Sequence, residues 1–161
     1  MLIGNLSVTV KLLLPRRHPV RGFEASTLIK ADPDTIWSVL TDGAAWPTWD
    51  SAVARFEGTI APGRKVTVYP EVNPNRGFPV KVVDFQPARE MTWRGGMPLG
   101  LFTGTRSYKL TPQSDGTVRF DMREEYTGPL AGLIFKSVPD LNPSFRTFAD
   151  GLKHRAEERA S

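Results

Sequence analysis

The chain has 161 residues, of which 40% are hydrophobic and 24% charged, a composition typical of one globular domain. It contains no cysteine, which excludes disulfides, a thiol nucleophile and a cysteine-ligated metal site. The net charge of +4 is mild, and no basic run carries the interleaved aromatic residues of nucleic-acid binders, so we expect no nucleic-acid partner.

Residues 1–20 are predicted to form an N-terminal extension ahead of a ligand-binding domain at residues 21–161. Residues 5–14 alternate between apolar and polar side chains, a pattern typical of a strand with one buried face. The extension is then either an extra edge strand or a disordered leader, and the sequence leaves both open. No apolar run approaches the roughly 18 residues of a membrane span. No signal-peptide pattern is present either, so we expect a cytoplasmic protein without an integral membrane segment.

One strand and two short helices come next. Residues 23–30 are rich in threonine and isoleucine and predict a strand. Asp32 followed by Pro33 predicts a helix start, because aspartate caps free N–H groups and proline suits the first turn. A second helical segment at 44–50 is expected to be very short, since Pro47 forbids a longer one.

Six further strands and a long helix follow. Turn signals rich in proline, glycine and asparagine divide the chain into predicted strands at 53–60, 65–72, 79–85, 90–94, 101–110 and 117–126. This spacing favours an antiparallel sheet. The last segment, 129–160, carries an apolar stripe at helical spacing: Leu141, Phe145, Phe148, Leu152 and Ala156. We expect Pro139 and Pro143 to break this helix into two pieces.

Four local motifs accompany this order of elements: ADPDTIW at 31–37, WPTWD at 46–50, LFTGTR at 101–106 and EEYTGPL at 124–130. Together they resemble the START-like superfamily, also called SRPBCC, which includes polyketide cyclase/dehydrase and lipid-transport proteins. The resemblance covers about residues 23–158. It implies an α+β helix-grip fold, in which a seven-stranded curved antiparallel sheet wraps around a long C-terminal helix. Two short helices follow the first strand, and a ligand cavity lies between sheet and helix.

Side-chain alternation on the last two strands assigns an inner and an outer face. The wholly polar set on each strand must face water, so the other set faces the helix. Arg106 and Glu124 then lie on an otherwise apolar inner face. A hairpin centred on Gln113 and Ser114 would place Arg106 opposite Asp121 or Met122, with Glu124 one diagonal step away.

Burial of either charge alone is costly, so we expect Arg106 and Glu124 to pair or to face a wet cavity. Two interpretations stay open: an ion pair that only fixes the strands, or a polar contact for a ligand. Residues 95–100 form a glycine-rich tip that is either a lid or an ordinary turn. The predicted ligand-binding residues, most of which would fit an ordinary core equally well, are Trp49, Met91, Trp93, Phe102, Arg106, Tyr108, Phe120, Met122, Glu124, Tyr126, Phe135 and Phe145.

The sequence supports three hypotheses about function. The first is a carrier or sensor for a small hydrophobic ligand such as a lipid, an isoprenoid or an aromatic polyketide. The second is an enzyme of the polyketide cyclase or dehydratase type, with Glu124 as base and Arg106 or Tyr126 stabilising an enolate oxygen. A carboxylate held by arginine is a poor base, which argues against catalysis. The third is a protein-interaction module with an incidental cavity.

Standard catalytic and cofactor motifs are absent. The chain has no H-E-x-x-H, G-x-S-x-G or G-x-G-x-x-G, and residues 58–65 depart from the P-loop pattern. We therefore expect no cofactor and no metal. A cavity closed to solvent would favour the interaction module, whereas an open cavity with an unpaired Arg106 would favour the other two. The sequence does not decide between carrier and enzyme and does not give the oligomeric state.

Overall fold

The computed structural model describes residues 21–161, so the predictions for residues 1–20 lie outside the described residues. Within residues 21–161, seven strands form one antiparallel sheet: β1 (Gly22–Ile29), β2 (Val53–Glu57), β3 (Lys65–Pro70), β4 (Phe78–Gln86), β5 (Glu90–Gly96), β6 (Thr103–Pro112) and β7 (Val118–Thr127). The strand order is β1-β7-β6-β5-β4-β3-β2, which places the first strand beside the last. The predicted α+β helix-grip fold is confirmed.

Three α-helices and two 3₁₀ turns complete the part of the chain that the structure describes. They are α1 (Pro33–Thr41), α2 (Ala131–Ser137), α3 (Asn142–Arg159) and the 3₁₀ segments Gly43–Thr48 and Pro98–Gly100. The predicted division of the last helix is confirmed, with Pro139 between α2 and α3. The prediction that Pro143 breaks the helix is wrong: it lies in the first turn of α3, where a missing N–H costs nothing. No helix of the described residues is long and apolar enough to cross a membrane.

The start of α1 follows from local chemistry alone. The Asp32 carboxylate accepts a hydrogen bond from the backbone N–H of Thr35 at 2.9 Å and a second from the Thr35 hydroxyl at 2.6 Å. Pro33 occupies the first helical position. The predicted cap is confirmed, and it orients α1 so that Ile36 and Leu40 are buried in the core.

We expect Asp32→Ala to lower the melting temperature by about 2–4 °C at pH 7, because it removes this cap. The hydroxyl and then the backbone N–H of Thr35 lower the pKa of Asp32. A carboxylate with a lowered folded pKa stabilises the protein above its unfolded pKa, and the contribution is lost as the pH falls. Thermal melts should therefore converge as the pH drops below about 4. A difference that stays constant down to acid pH would contradict this cap. Asp34→Ala, in the same turn, is the control.

The core lies between the inner face of the sheet and α3. The inner-face assignment of β6 and β7 is confirmed, since Tyr108, Leu110, Phe120 and Met122 are all buried. Helix α3 presents its apolar stripe to this face. The helix approaches the chain before β2 so closely that Gly151 lies against the backbone carbonyl of Asp50. This close approach is possible because glycine has no side chain at position 151.

Candidate functional site

A cavity of about 730 Å³ separates the inner face of the sheet from the α2–α3 segment. Buried aromatic side chains, among them Trp46, Trp93 and Phe148, form its inner end. Its outer end is lined by Val72, Phe78 and Met97, which are each 40–55% exposed. The cavity therefore opens to solvent between the β3–β4 loop and the β5–β6 tip.

The β5–β6 tip is anchored beside this opening. The Leu101 carbonyl accepts a hydrogen bond from the backbone N–H of Leu130 at 2.9 Å, which ties the tip to the start of α2. Leu99 at its apex is 96% exposed and has a positive φ of 59°. Within this tip, Met97 and its neighbour Gly96 line the opening. Whether the tip acts as a lid stays a prediction.

Arg106 and Glu124 form an ion pair on the cavity wall. They are direct cross-strand partners on β6 and β7. Arg106 Nε donates to Glu124 Oε2 at 2.8 Å, and Nη2 donates to the same oxygen. The side chains are 23% and 13% exposed. The pair uses Glu124 Oε2, Arg106 Nε and Arg106 Nη2, so Glu124 Oε1 and Arg106 Nη1 lie outside it.

The predicted register of the β6–β7 hairpin was wrong by two to three residue positions along β7. Arg106 faces Glu124 directly, because the turn is centred on Asp115 instead of between Gln113 and Ser114. Asp115 Oδ1 accepts hydrogen bonds from the Thr117 N–H and hydroxyl, and Gly116 has a φ of 84°. These features fix a three-residue loop with a left-handed glycine and shift the register.

Electrostatics keeps Arg106 and the Tyr126 hydroxyl in fixed protonation states near neutral pH. Burial alone would lower the pKa of Arg106, but the adjacent Glu124 carboxylate outweighs it and the pKa is raised. Burial, reinforced by the Glu124 charge, raises the pKa of Tyr126. Arg106 is therefore a permanent cation, and Tyr126 is a neutral hydroxyl that can donate a hydrogen bond. The Arg106 guanidinium also lies 4.8 Å from the Phe145 ring centre, a cation–π contact.

Some of the predicted ligand-binding residues line the cavity, and the others lie in the core or outside the cavity. Those that line the cavity are Trp93, Phe102, Arg106, Met122, Glu124, Tyr126 and Phe145. Met91, Tyr108 and Phe120 are fully buried and belong to the solid core, where α3 fills the other half of the sheet. Phe135 packs between Phe23 and Tyr126. Trp49 lies outside the cavity, against Phe148.

Sequence reasoning missed three parts of the wall. Trp46 was not among the predicted ligand-binding residues, yet it forms part of the inner end. The β3–β4 loop and the α2–α3 connection also contribute, through residues such as Asn73, Val138 and Pro139. No periodic pattern marks such residues, because loops and helix junctions have none. Gly104 lies in the LFTGTR motif, and its missing side chain leaves space beside Tyr126 and Glu124 Oε1.

Three polar groups at or behind the inner end have no hydrogen-bond partner among the described residues: Trp46 Nε1, Trp93 Nε1 and the Tyr108 hydroxyl. An unpaired buried donor costs about 1–3 kcal/mol. Native structures keep few of them, so each one calls for an explanation.

A second, shallower groove of about 490 Å³ lies on the outside, between Trp49 and α3. Its lining includes Asp150, His154 and Glu158. His154 and Glu158 are within 3.3 Å of each other but largely exposed. In residues 21–161 no group of three or more histidine or acidic side chains is placed to hold a metal ion. The site is therefore built from apolar walls, one ion pair and several hydrogen-bond donors.

A family model described as polyketide cyclase/dehydrase and lipid transport matches residues 21–157. The chain belongs to this family. Its fold is the START-like, or SRPBCC, fold that the motifs had indicated. No curated protein matches the sequence significantly.

Solved structures share the fold of this polyketide cyclase/dehydrase and lipid-transport family member at low sequence identity. A hypothetical protein of Helicobacter pylori has a TM-score of 0.69 at 15% identity, covering 97% of this chain and 99% of that chain. Norcoclaurine synthase from Thalictrum flavum has a TM-score of 0.66 at 16% identity, with coverages of 88% and 97%. The Zhui aromatase/cyclase from Streptomyces sp. R1128 has a TM-score of 0.65 at 14% identity, with coverages of 88% and 96%. At these identities the similarity shows the fold alone.

Proposed function

We propose that residues 21–161 form a ligand-binding domain that holds a small, largely apolar molecule in the cavity, as a cytoplasmic carrier or sensor. The observation that carries this proposal is the cavity itself, about 730 Å³ with mainly apolar walls and few polar groups. That volume lies within the roughly 300–1,000 Å³ typical of small-molecule sites. It suits one aromatic polyketide, isoprenoid or short lipid.

The open mouth supports ligand binding over a module whose cavity is incidental. A molecule enters past Val72, Phe78 and Met97 without disturbing the core. The ion pair is the opposing observation, because Arg106 is held by Glu124 and is not a free cation. A ligand would therefore meet a neutral pair with two unused hydrogen-bonding atoms instead of an isolated charge.

An enzyme of the cyclase type is the second candidate. Glu124 Oε1 lies beside the gap at Gly104, with the Tyr126 ring next to it. In that gap a substrate carbon acid would meet a carboxylate oxygen, and an enolate oxygen would meet Arg106 Nη1 or the Tyr126 hydroxyl. Two of the similar structures are named as enzymes, an aromatase/cyclase and norcoclaurine synthase. Loss of turnover in Glu124→Gln with ligand binding retained would favour this candidate.

Native mass spectrometry of the purified protein, followed by organic extraction, identifies any molecule that co-purifies. A discrete adduct of a few hundred daltons is expected for a carrier, and its chemistry gives the ligand class. Where the protein is purified without a ligand, a panel of lipids, isoprenoids and polycyclic aromatics is tested by equilibrium dialysis. Absence of binding across the whole panel would overturn the proposal.

We expect Ser144→Trp to weaken binding of 2-ethylnaphthalene by at least about tenfold, because an indole at this lining position fills part of the cavity. Arg146→Trp is the matched control, since Arg146 is exposed on the same helix. Its dissociation constant should stay within about twofold of the parent. Equal loss in both variants, or no loss in either, would show that the ligand binds elsewhere.

A further inference from the structure

Exposed apolar side chains gather around the opening of the cavity. Single exposed apolar residues are ordinary on a protein surface, but a cluster of them marks an interaction site. Of the eight large apolar side chains that are exposed within residues 21–161, six lie at this end of the sheet. We call these six the mouth patch: Val72, Phe78, Met97, Leu99, Leu101 and Leu133.

Three connections of the fold bring the mouth patch together: the β3–β4 loop, the β5–β6 tip and the start of α2. Strand β4 pairs antiparallel with β5, so Phe78 at the start of β4 lies beside the tip. Gly128, just before α2, lies against the Leu101 carbonyl. Leu133 follows in the first turn of α2 and is 70% exposed. The patch therefore spans both sides of the opening.

The β5–β6 tip projects from the patch and is wholly uncharged. Leu99 at its apex points into solvent, although leucine is uncommon at a positive φ. Residues 95–102 and 127–135 contain no charged side chain. A projecting apolar tip without charges fits a fluid surface that can close around it better than the flat face of a folded partner.

Basic side chains surround the mouth patch. Arg76 in the β3–β4 loop is exposed, and its guanidinium lies 5.1 Å from the Phe78 ring centre. Lys136 is exposed on α2. The Arg21 guanidinium lies against Gly132, also on α2. Three cations therefore lie beside the apolar side chains.

The charge balance at this end is positive. Arg16 and Arg17 precede Arg21 by at most five residues, so they stay within about 18 Å of it even in an extended chain. The segments that carry the patch, 71–77, 95–102 and 128–141, contain two acidic residues, Glu71 and Asp140. Five basic residues against two acidic ones complement an anionic surface.

We propose that the mouth patch docks on an anionic lipid surface, with the β5–β6 tip among the lipid headgroups and the basic side chains on their phosphates. Such contacts combine buried apolar area with electrostatic attraction and need no membrane span. The cavity then opens towards the lipid, so an apolar ligand passes between lipid and cavity without crossing water. The passage of a ligand rests on the proposed function, whereas the contact itself does not.

Sedimentation of the full-length protein with lipid vesicles tests the contact. We expect binding to vesicles of equimolar phosphatidylcholine and phosphatidylglycerol, and at least about tenfold weaker binding to phosphatidylcholine alone. The preference should shrink as salt is added, because ions screen exposed charges. Equal binding to both lipids would overturn the anionic surface, and binding to neither would overturn the whole proposal.

The double variant Leu99→Asn/Leu133→Asn removes two apolar side chains of the patch that do not line the cavity. Asparagine tolerates the positive φ at residue 99, so the tip keeps its shape. We expect the dissociation constant for the anionic vesicles to rise at least about tenfold, because buried apolar area is lost.

Leu28→Asn/Val83→Asn is the matched control, because Leu28 and Val83 are also exposed but lie outside the patch, on β1 and β4. Leu28 is near the opposite end of the sheet, where it pairs with Arg119. Vesicle binding by this control should stay within about twofold of the parent protein. Equal losses in the two double variants would overturn the docking site.

Arg76→Gln/Lys136→Gln tests the basic side chains. We expect binding to the anionic vesicles to weaken at least about fivefold. Arg89→Gln/Lys109→Gln removes the same total charge at the other end of the sheet, beside the β4–β5 turn, and should weaken binding less. Equal effects would show that only the net charge matters, which would overturn the assigned surface.

Two further measurements separate the lipid surface from other occupants and from the proposed function. A dimer in light scattering that Leu99→Asn/Leu133→Asn converts to a monomer would make the patch an interface between copies and overturn the proposal. By equilibrium dialysis this variant should bind 2-ethylnaphthalene as the parent does, since the cavity lining is unchanged. Ligand binding without vesicle binding would overturn only the lipid surface. Vesicle binding without affinity for any ligand of the panel would overturn only the proposed function.

Discussion

We expect Gly151→Ala to destabilise the protein by about 3 kcal/mol, opposite in sign to the gain of about 1 kcal/mol usual for this change inside a helix. A Cβ at this position would lie inside contact distance of the Asp50 carbonyl oxygen and 2.8 Å from its carbon. Both atoms are backbone, so no side-chain rotation relieves the clash. Helix α3 would therefore have to move away from the backbone at Asp50.

Urea unfolding followed by circular dichroism measures this effect. Asp150→Ala is the control, because Asp150 is the exposed neighbour on the same helix and alanine there improves helix propensity. Its free energy of unfolding should match or slightly exceed that of the parent protein. An increase in stability for Gly151→Ala would show that helix and loop are not in close contact.

We expect Arg106→Leu to cost about 2–3 kcal/mol of folding free energy, because it leaves the Glu124 carboxylate without its cation on an apolar wall. The figure is below that for a fully buried pair, since both side chains retain some exposure. The double variant Arg106→Leu/Glu124→Leu should recover most of the loss, as it removes both charges. Urea unfolding of the four proteins forms the thermodynamic cycle.

Arg119→Leu provides a matched control for this cycle. Arg119 pairs with Asp121 at 2.9 Å on β7, but this pair lies on the outer face with side chains 53% and 37% exposed. Exposed pairs contribute about 0–1 kcal/mol, so the change should be small. If Arg106→Leu costs no more than Arg119→Leu, the inner pair is solvated and our account of the wall is wrong.

The sequence was sufficient where a feature depends on neighbouring residues. Asp32 and Pro33 determine the start of α1 through a cap and a preset φ, both within four residues. Alternation determined the inner face of β6 and β7, because successive side chains in a strand must point to opposite sides. The sequence therefore predicts Arg106 and Glu124 on the same wall.

Features that depend on how elements meet were not predictable. Tyr108 and Arg106 share a face of β6, yet Arg106 lines the cavity and Tyr108 is core. The difference arises from where α3 crosses the sheet, which alternation does not encode. The register of the β6–β7 hairpin likewise depends on the turn at Asp115 and Gly116, whose geometry shifts every cross-strand pair.

The pairing of β1 with β7 has a consequence for how the chain folds. Gly22 finds its partner Glu125 only after about 100 further residues, and closing such a loop is slow. During synthesis β1 leaves the ribosome with its hydrogen-bonding edge unpaired, while β2 to β6 form hairpins with their neighbours. Among the strands of residues 21–161, the one made first is therefore the last to join the sheet, and a nascent chain halted before β7 exposes an aggregation-prone edge.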